Sequence, residues 1–240
     1  DHLCACLNEL IVVELSIRSS CNTRCVEMQL NSISTSIHYF TCFCFPSIFR
    51  NFVTMKKAII VGASSGIGRE VACRLIRDGW QVGLMARREQ PLVSLREMAD
   101  DRVDYALCDV TMPDAPDRLL ALIDRLGGVD LYFHAAGIGS QNLDLESQIE
   151  MNTVNTNAVG FCRLVNVAFQ YMKTHGGGHI AVISSIAGVK GLAPAPSYSA
   201  TKAFQNTYIQ ALEQLAYSQR LPIRFTDIRP GFVDTALIAG

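Results

Sequence analysis

The sequence predicts a doubly wound α/β fold on a parallel sheet. Three observations predict it. From Met55 onward, short apolar runs alternate with amphipathic stretches through six strands and the five helices between them. The apolar runs are nearly continuous, as strands buried on both faces require. A glycine-rich loop joins the first apolar run to the first amphipathic one, the connection that places backbone amides at a helix start.

The elements follow in order along the chain. "KAIIVG" reads as a buried strand, and "GIGREVACRLIRDG" as a helix stopped by Gly79. "WQVGLMAR" is a strand and "QPLVSLREMAD" a helix; "VDYALCDV" is a strand and "DAPDRLLALIDRLGG" a helix. "VDLYFHAAG" is a strand, followed by a long helix over Val154–Thr174. "GGHIAVISSIAG" is a strand, Ser197–Gln219 a helix, and "PIRFTDIRPG" the last strand. Right-handed crossovers wind such units into one domain with helices on both faces.

The 240 residues suit one domain with an extension. Residues 1–54 show no sustained period and few turn signals, and Met55 opens the patterned region with a basic pair. The natural protein is therefore expected to start at Met55, with 1–54 either upstream sequence or a poorly ordered extension. "LIVVELSI" carries Glu14 and lacks a basic flank and a cleavage site, so it does not read as a signal peptide. Twenty-one basic against 22 acidic residues leave no electrostatic reason for a nucleic-acid or anionic-membrane partner. No apolar run reaches the length of a membrane-spanning helix. Six of nine cysteines lie before residue 45, in pairs such as "CAC" and "CFC" whose spacing is unlike zinc knuckles, so no metal is expected. Cys73, Cys108 and Cys162 read as core thiols of a reducing, cytoplasmic compartment.

"VGASSGIG" places Gly62, Gly66 and Gly68 around Ser64, Ser65 and Ile67 at a strand–helix junction. Glycines permit positive φ and close approach, and the helix N-terminus attracts a pyrophosphate. The second strand ends in Arg87 and Arg88, with Glu89 only beyond them. Two guanidiniums suit a ribose 2′-phosphate where a carboxylate would favour a free 2′-hydroxyl, so NADP(H) is expected over NAD(H). In "PSYSATKAF", Tyr198 and Lys202 are one helical turn apart and share a face. A free phenol titrates near ~10, and a neighbouring ammonium favours its anion. Such a phenol can protonate a carbonyl oxygen or deprotonate an alcohol. Ser185 stands at the carboxyl end of the fifth strand, where doubly wound sheets bind ligands.

The G-x-x-x-G-x-G loop, Y-x-x-x-K and the serine thirteen positions before the tyrosine resemble the classical short-chain dehydrogenase/reductase family. The resemblance runs from Lys56 to about Thr235 and implies a Rossmann-like NADP(H)-dependent oxidoreductase acting on a carbonyl or alcohol. It makes Ser185, Tyr198 and Lys202 catalytic, with Ser184 the weaker choice. "TNAVGF" resembles the V-N-x-x-G segment and marks Asn157, with Asn152 and Asn155 as competitors, to hold a water relaying protons towards the lysine. Asp109 and Val110 would contact adenine, and Pro230, Gly231, Val233 and Thr235 would close on nicotinamide. Val61 replaces the family's threonine and removes a hydroxyl able to brace the turn. "HAAG" stands for N-N-A-G, so Ala135, Ala136 and Gly137 keep backbone contacts to the cofactor while His134 takes over bracing or, more boldly, acid–base work. The two long helices carry apolar residues on several faces, and relatives associate through them into dimers or tetramers. The family's last strand and helix lie beyond Gly240, so the chain is expected to be incomplete. The alternative is a cofactor-binding regulatory or scaffold protein without turnover, against which the intact Ser–Tyr–Lys set speaks.

Overall fold

In the computed structural model the described residues are 26–27 and 56–231. Strands β1 (Val26–Glu27), β2 (Lys57–Val61), β3 (Gln81–Ala86), β4 (Val103–Leu107), β5 (Leu131–His134), β6 (Gly178–Ile183) and β7 (Ile223–Arg229) form one sheet. Its order is β1-β7-β6-β5-β2-β3-β4, and every pairing is parallel. The order reverses between β2 and β5, which opens a crevice at their carboxyl ends.

The two faces of the sheet are filled by different residues of the same strands. Ile59, Val61 and Met85 point into one core with Leu119 and Ile123 of α3 (Ala115–Leu126). The same core takes Phe161 and Leu164 of α5 (Phe161–Thr174), and Ile209 of α6 (Pro196–Ser218). Ala58, Ile60 and Leu84 point into the other core, against Val71 and Leu75 of α1 (Gly66–Arg77) and Leu92 and Leu95 of α2 (Gln90–Arg96). The four consecutive apolar residues Ala58–Val61 of β2 therefore serve two layers, as the unbroken "AIIV" run implies.

Two differences from the sequence reading bear on the site. The long helix begins seven residues early, as α4 (Ser147–Val154), and passes through a π-helical turn, Asn155–Gly160, before α5. Its start is organised by Asn142, whose Oδ1 accepts from Glu146 N at 2.9 Å while its Nδ2 donates to Glu146 O at 3.1 Å. Such side-chain turns compete with helix and set where it begins. Second, Val26–Glu27 adds two residues to the β7 edge, opposite Ile228 and Arg229. The rest of 1–55, with its six cysteines, lies outside the described residues. Cys73, Cys108 and Cys162 are free thiols.

Candidate active site

The carboxyl ends of β2, β3, β5 and β6 border a cleft of about 650 Å³. Its floor at one end is the turn after β2. Gly62 N and Ala63 N both donate to Met85 O, at 2.8 and 3.2 Å, so the backbone itself braces the turn where Val61 offers no hydroxyl. Gly62 lies at φ +91°, and a side chain there would strike the backbone of Ala135 and Ala136. A side chain on Gly68 would fall 2.3 Å from Gly62 O, so glycine lets α1 seat against the turn. The Ser65 side chain makes no capping hydrogen bond to α1, and no acidic residue stands in the first turn. The amide end of α1 is thus turned to the cleft, a cradle that fits a pyrophosphate.

Both arginines stand at the rim. Arg88 Nη2 donates to Ser64 Oγ at 3.1 Å and to Ser65 Oγ at 2.9 Å, holding the guanidinium over the loop. Glu89 is engaged elsewhere, accepting from the Tyr105 hydroxyl at 2.9 Å. Asp109 accepts from Thr111 N at 2.9 Å and Thr111 Oγ1 at 2.7 Å. Burial alone would raise its pKa, but those two bonds and the charge of Arg87 bring it below the ordinary value. Asp109 and Val110, with Ala135, Ala136 and Gly137, line the cleft, and so do Pro230 and Gly231. Val233 and Thr235 lie outside the described residues.

At the far end, α6 brings Tyr198 and Lys202 to the cleft. Pro196 opens the helix, where a missing N–H is harmless. Glu150 Oε2 accepts from Ser197 N at 3.2 Å, and its Oε1 accepts from Asn142 Nδ2 at 2.8 Å, tying the start of α6 to α4. Lys202 Nζ lies 5.7 Å from the Tyr198 ring centre and donates to Ile183 O at 3.0 Å. Burial pushes the Lys202 ammonium down to about 8, with Asp227 acting upward. Burial raises the Tyr198 phenol, and a hydrogen bond with Ser185 opposes it. Ser184 instead turns its hydroxyl to Asp227, which is also paired with Arg229 at 2.8 Å. The structure therefore separates the two serines: Ser185 faces the phenol, Ser184 the buried ion pair.

Asn157 sits in the π-turn, fully buried, whereas Asn152 and Asn155 are exposed. Its amide grips the loop after β5: Oδ1 accepts from Ile138 N at 2.9 Å and Nδ2 donates to Ile138 O at 2.7 Å. A side chain on Gly139, one residue further, would meet the Tyr198 ring at 2.6 Å. Asn157 thus holds the loop against which the phenol packs, and π-turns recur at such functional positions. The sequence reading missed Gly139, Glu150 and Gln205. Of these only Gln205, three residues beyond Lys202 on the same helix face, had a periodic signal.

His134 is buried with its Nδ1 at 2.8 Å from the Tyr132 hydroxyl, on its own strand, and its Nε2 has no hydrogen-bond partner among the described residues. Burial, then the charge of Lys202, push its pKa down to about 3, so the ring is neutral. It does not tie neighbouring strands by hydrogen bonds. Its bracing is an edge-to-face contact with Phe161, 5.1 Å between ring centres, which links β5 to α5.

Comparison with known proteins agrees with this geometry. The short chain dehydrogenase family model matches residues 56–239. An uncharacterized oxidoreductase of Myxococcus xanthus is 34% identical over 193 residues, covering 78% of this chain and 76% of the relative. One from Staphylococcus aureus (strain MW2) is 32% identical over 192 residues, covering 78% of this chain and 82% of the relative. Among solved structures, an actinorhodin polyketide ketoreductase with NADPH superposes with TM-score 0.69 at 32% identity, covering 77% of this chain and 73% of that one. A short-chain alcohol dehydrogenase assignment from Sinorhizobium meliloti gives 0.70 at 28%, covering 77% and 75%. Glycine turn, π-turn asparagine, strand-end serine and the Tyr–Lys turn meet at one sheet edge, and the sequence match runs through all of them: the chain belongs to the short-chain dehydrogenase family of oxidoreductases.

Proposed function

We propose that the protein transfers hydride between NADP(H) and a carbonyl or alcohol substrate, with Tyr198 as general acid and base. The observation that carries this reading is the buried Lys202 ammonium beneath the Tyr198 ring, with Ser185 acting on the phenol, in the cleft that the glycine turn also lines. The bound nicotinamide would supply or accept the hydride. The chain's own residues handle the oxygen and its proton. Ser185 holds the substrate oxygen against the phenol, and Tyr198 gives its proton to that oxygen in reduction or takes one in oxidation. Lys202 keeps a positive charge beside the phenol, which offsets the cost of its buried anion. The α1 amides, Arg87, Arg88, Asp109 and Val110 are the residues that would hold the dinucleotide, with Ala135–Gly137 and Pro230–Gly231 as backbone walls.

Preference for NADP(H) is supported by Arg88 poised over the loop serines and by Glu89 being bonded to Tyr105. The test is turnover of a panel of aldehydes and ketones with NADPH and with NADH. Replacing Arg87 and Arg88 together by alanine is expected to weaken NADPH binding by about a hundredfold and NADH binding far less, since only the former loses charged hydrogen bonds. Equal loss for both cofactors would remove the arginines from 2′-phosphate recognition. Association through the long helices is supported by exposed Val159 of the π-turn and Phe204 and Leu215 of α6.

A further inference from the structure

Gln205 is fully buried on α6, three residues beyond Lys202, and both ends of its amide are engaged. Its Oε1 accepts from Lys202 Nζ at 3.0 Å, and its Nε2 donates to the main-chain carbonyl of Asn157 at 2.8 Å. With Ile183 O, that gives the ammonium two neutral acceptors. The amide also spans the gap from the lysine to the π-turn carbonyl, the place to which family resemblance assigns a relay water. We propose that Gln205 is a positioning residue for Lys202: its amide, set between Lys202 Nζ and the Asn157 carbonyl, clamps the ammonium beneath Tyr198 and fastens α6 to the π-turn. This rests on Tyr198 and Lys202 being the acid–base pair.

The physical case is one of matched polarity. An ammonium has three donors and no acceptor, and a buried one needs acceptors at fixed positions. A glutamine side chain meets that need without adding charge, and its own N–H groups then require an acceptor, which the Asn157 carbonyl supplies. Among the described residues, the charged or titratable groups around Lys202 are Tyr198 on its own helix, His134 on β5 and Asp227 on β7. His134 is neutral, and Asp227 is shared with Arg229 and Ser184. The nearest adjustable influence on the ammonium is therefore the Gln205 carbonyl.

The test compares Gln205→Leu and Gln205→Glu in the full chain, using NADPH and the panel carbonyl turned over fastest. Gln205→Leu is expected to lower kcat about tenfold, the effect of losing a hydrogen bond to a charged group, with NADPH affinity within about twofold. Its alkaline loss of activity should move to lower pH, because Lys202 sheds its proton more readily. Gln205→Glu should move that limb to higher pH, since a carboxylate beside the ammonium holds the proton on. Opposite displacements distinguish control of the lysine from mere packing. If Gln205→Leu melts early, Gln205→Met repeats the measurement with length and volume kept. Limbs that move together, or do not move, overturn the proposal. Full turnover in Gln205→Leu beside an inactive Tyr198→Phe removes the clamp alone; full turnover in Tyr198→Phe removes the acid–base assignment beneath it.

Discussion

Tyr198→Phe is expected to cost turnover at least about a thousandfold while leaving NADPH binding within about twofold, because general acid–base catalysis contributes on that order. The ring should stay where it is. It packs so closely on Gly139 that no side chain fits there, and its helix is held at its start by Glu150 and Pro196. Only the hydroxyl is lost, and with it the proton donor that Ser185 addresses. The direction of the pH dependence follows from the two neighbours. Burial raises the phenol, so near neutrality it carries its proton and is ready for reduction. Oxidation needs the anion and should quicken as pH rises. That gain should end where Lys202 loses its charge, at about 8 by burial, because the phenolate then loses its counter-charge. Initial rates in both directions across pH 6 to about 9, for the wild type and Tyr198→Phe, check this. A variant as active as the wild type would end the role given to Tyr198.

How far the sequence revealed the site depends on whether the chemistry is local. The glycine turn and the Tyr–Lys pair are fixed by spacing within one junction or one helical turn, so "GASSGIG" and "YSATK" could be placed directly. Ser185 could be told from Ser184 only by family spacing; the structure supplies the physical reason, the Ser184 hydroxyl being engaged by Asp227. Contacts between distant segments left no such mark. Asn157 meets Ile138 across nineteen residues and Gln205 meets Asn157 across forty-eight. The π-turn has no compositional signature beyond an asparagine in a helical stretch, and Asn142, which starts α4, looked like any loop residue. His134 looked like a strand tie because of where it stands in "HAAG", but its hydrogen bond stays within β5.

Gly62→Ala is expected to lose measurable NADPH binding and about 3 kcal/mol of stability, with Gly176→Ala as the comparison that shows why. Both glycines have nearly the same left-handed backbone, φ +91° and +87°. An L side chain there costs about 1 kcal/mol in either place. They differ in what surrounds the new methyl group. At Gly176, before β6 and on the opposite end of the sheet from the cleft, no atom of the described residues lies within 4 Å. At Gly62 it would stand 2.6 Å from Ala136 N and 2.8 Å from the Ala135 carbonyl carbon, both backbone atoms of the cleft wall. Neither side can yield cheaply, because Gly62 N is bonded to Met85 O and Ala135 N to Val61 O, each at 2.8 Å. The turn and the wall must part, and that widens the cradle at the α1 N-terminus. Thermal unfolding should fall by about 3 °C for Gly176→Ala and about 10 °C for Gly62→Ala, from the usual slope for a domain of this size. Cofactor titration should change only in the latter. Equal losses in stability, with NADPH binding retained by both, would mean that the turn after β2 does not hold the dinucleotide.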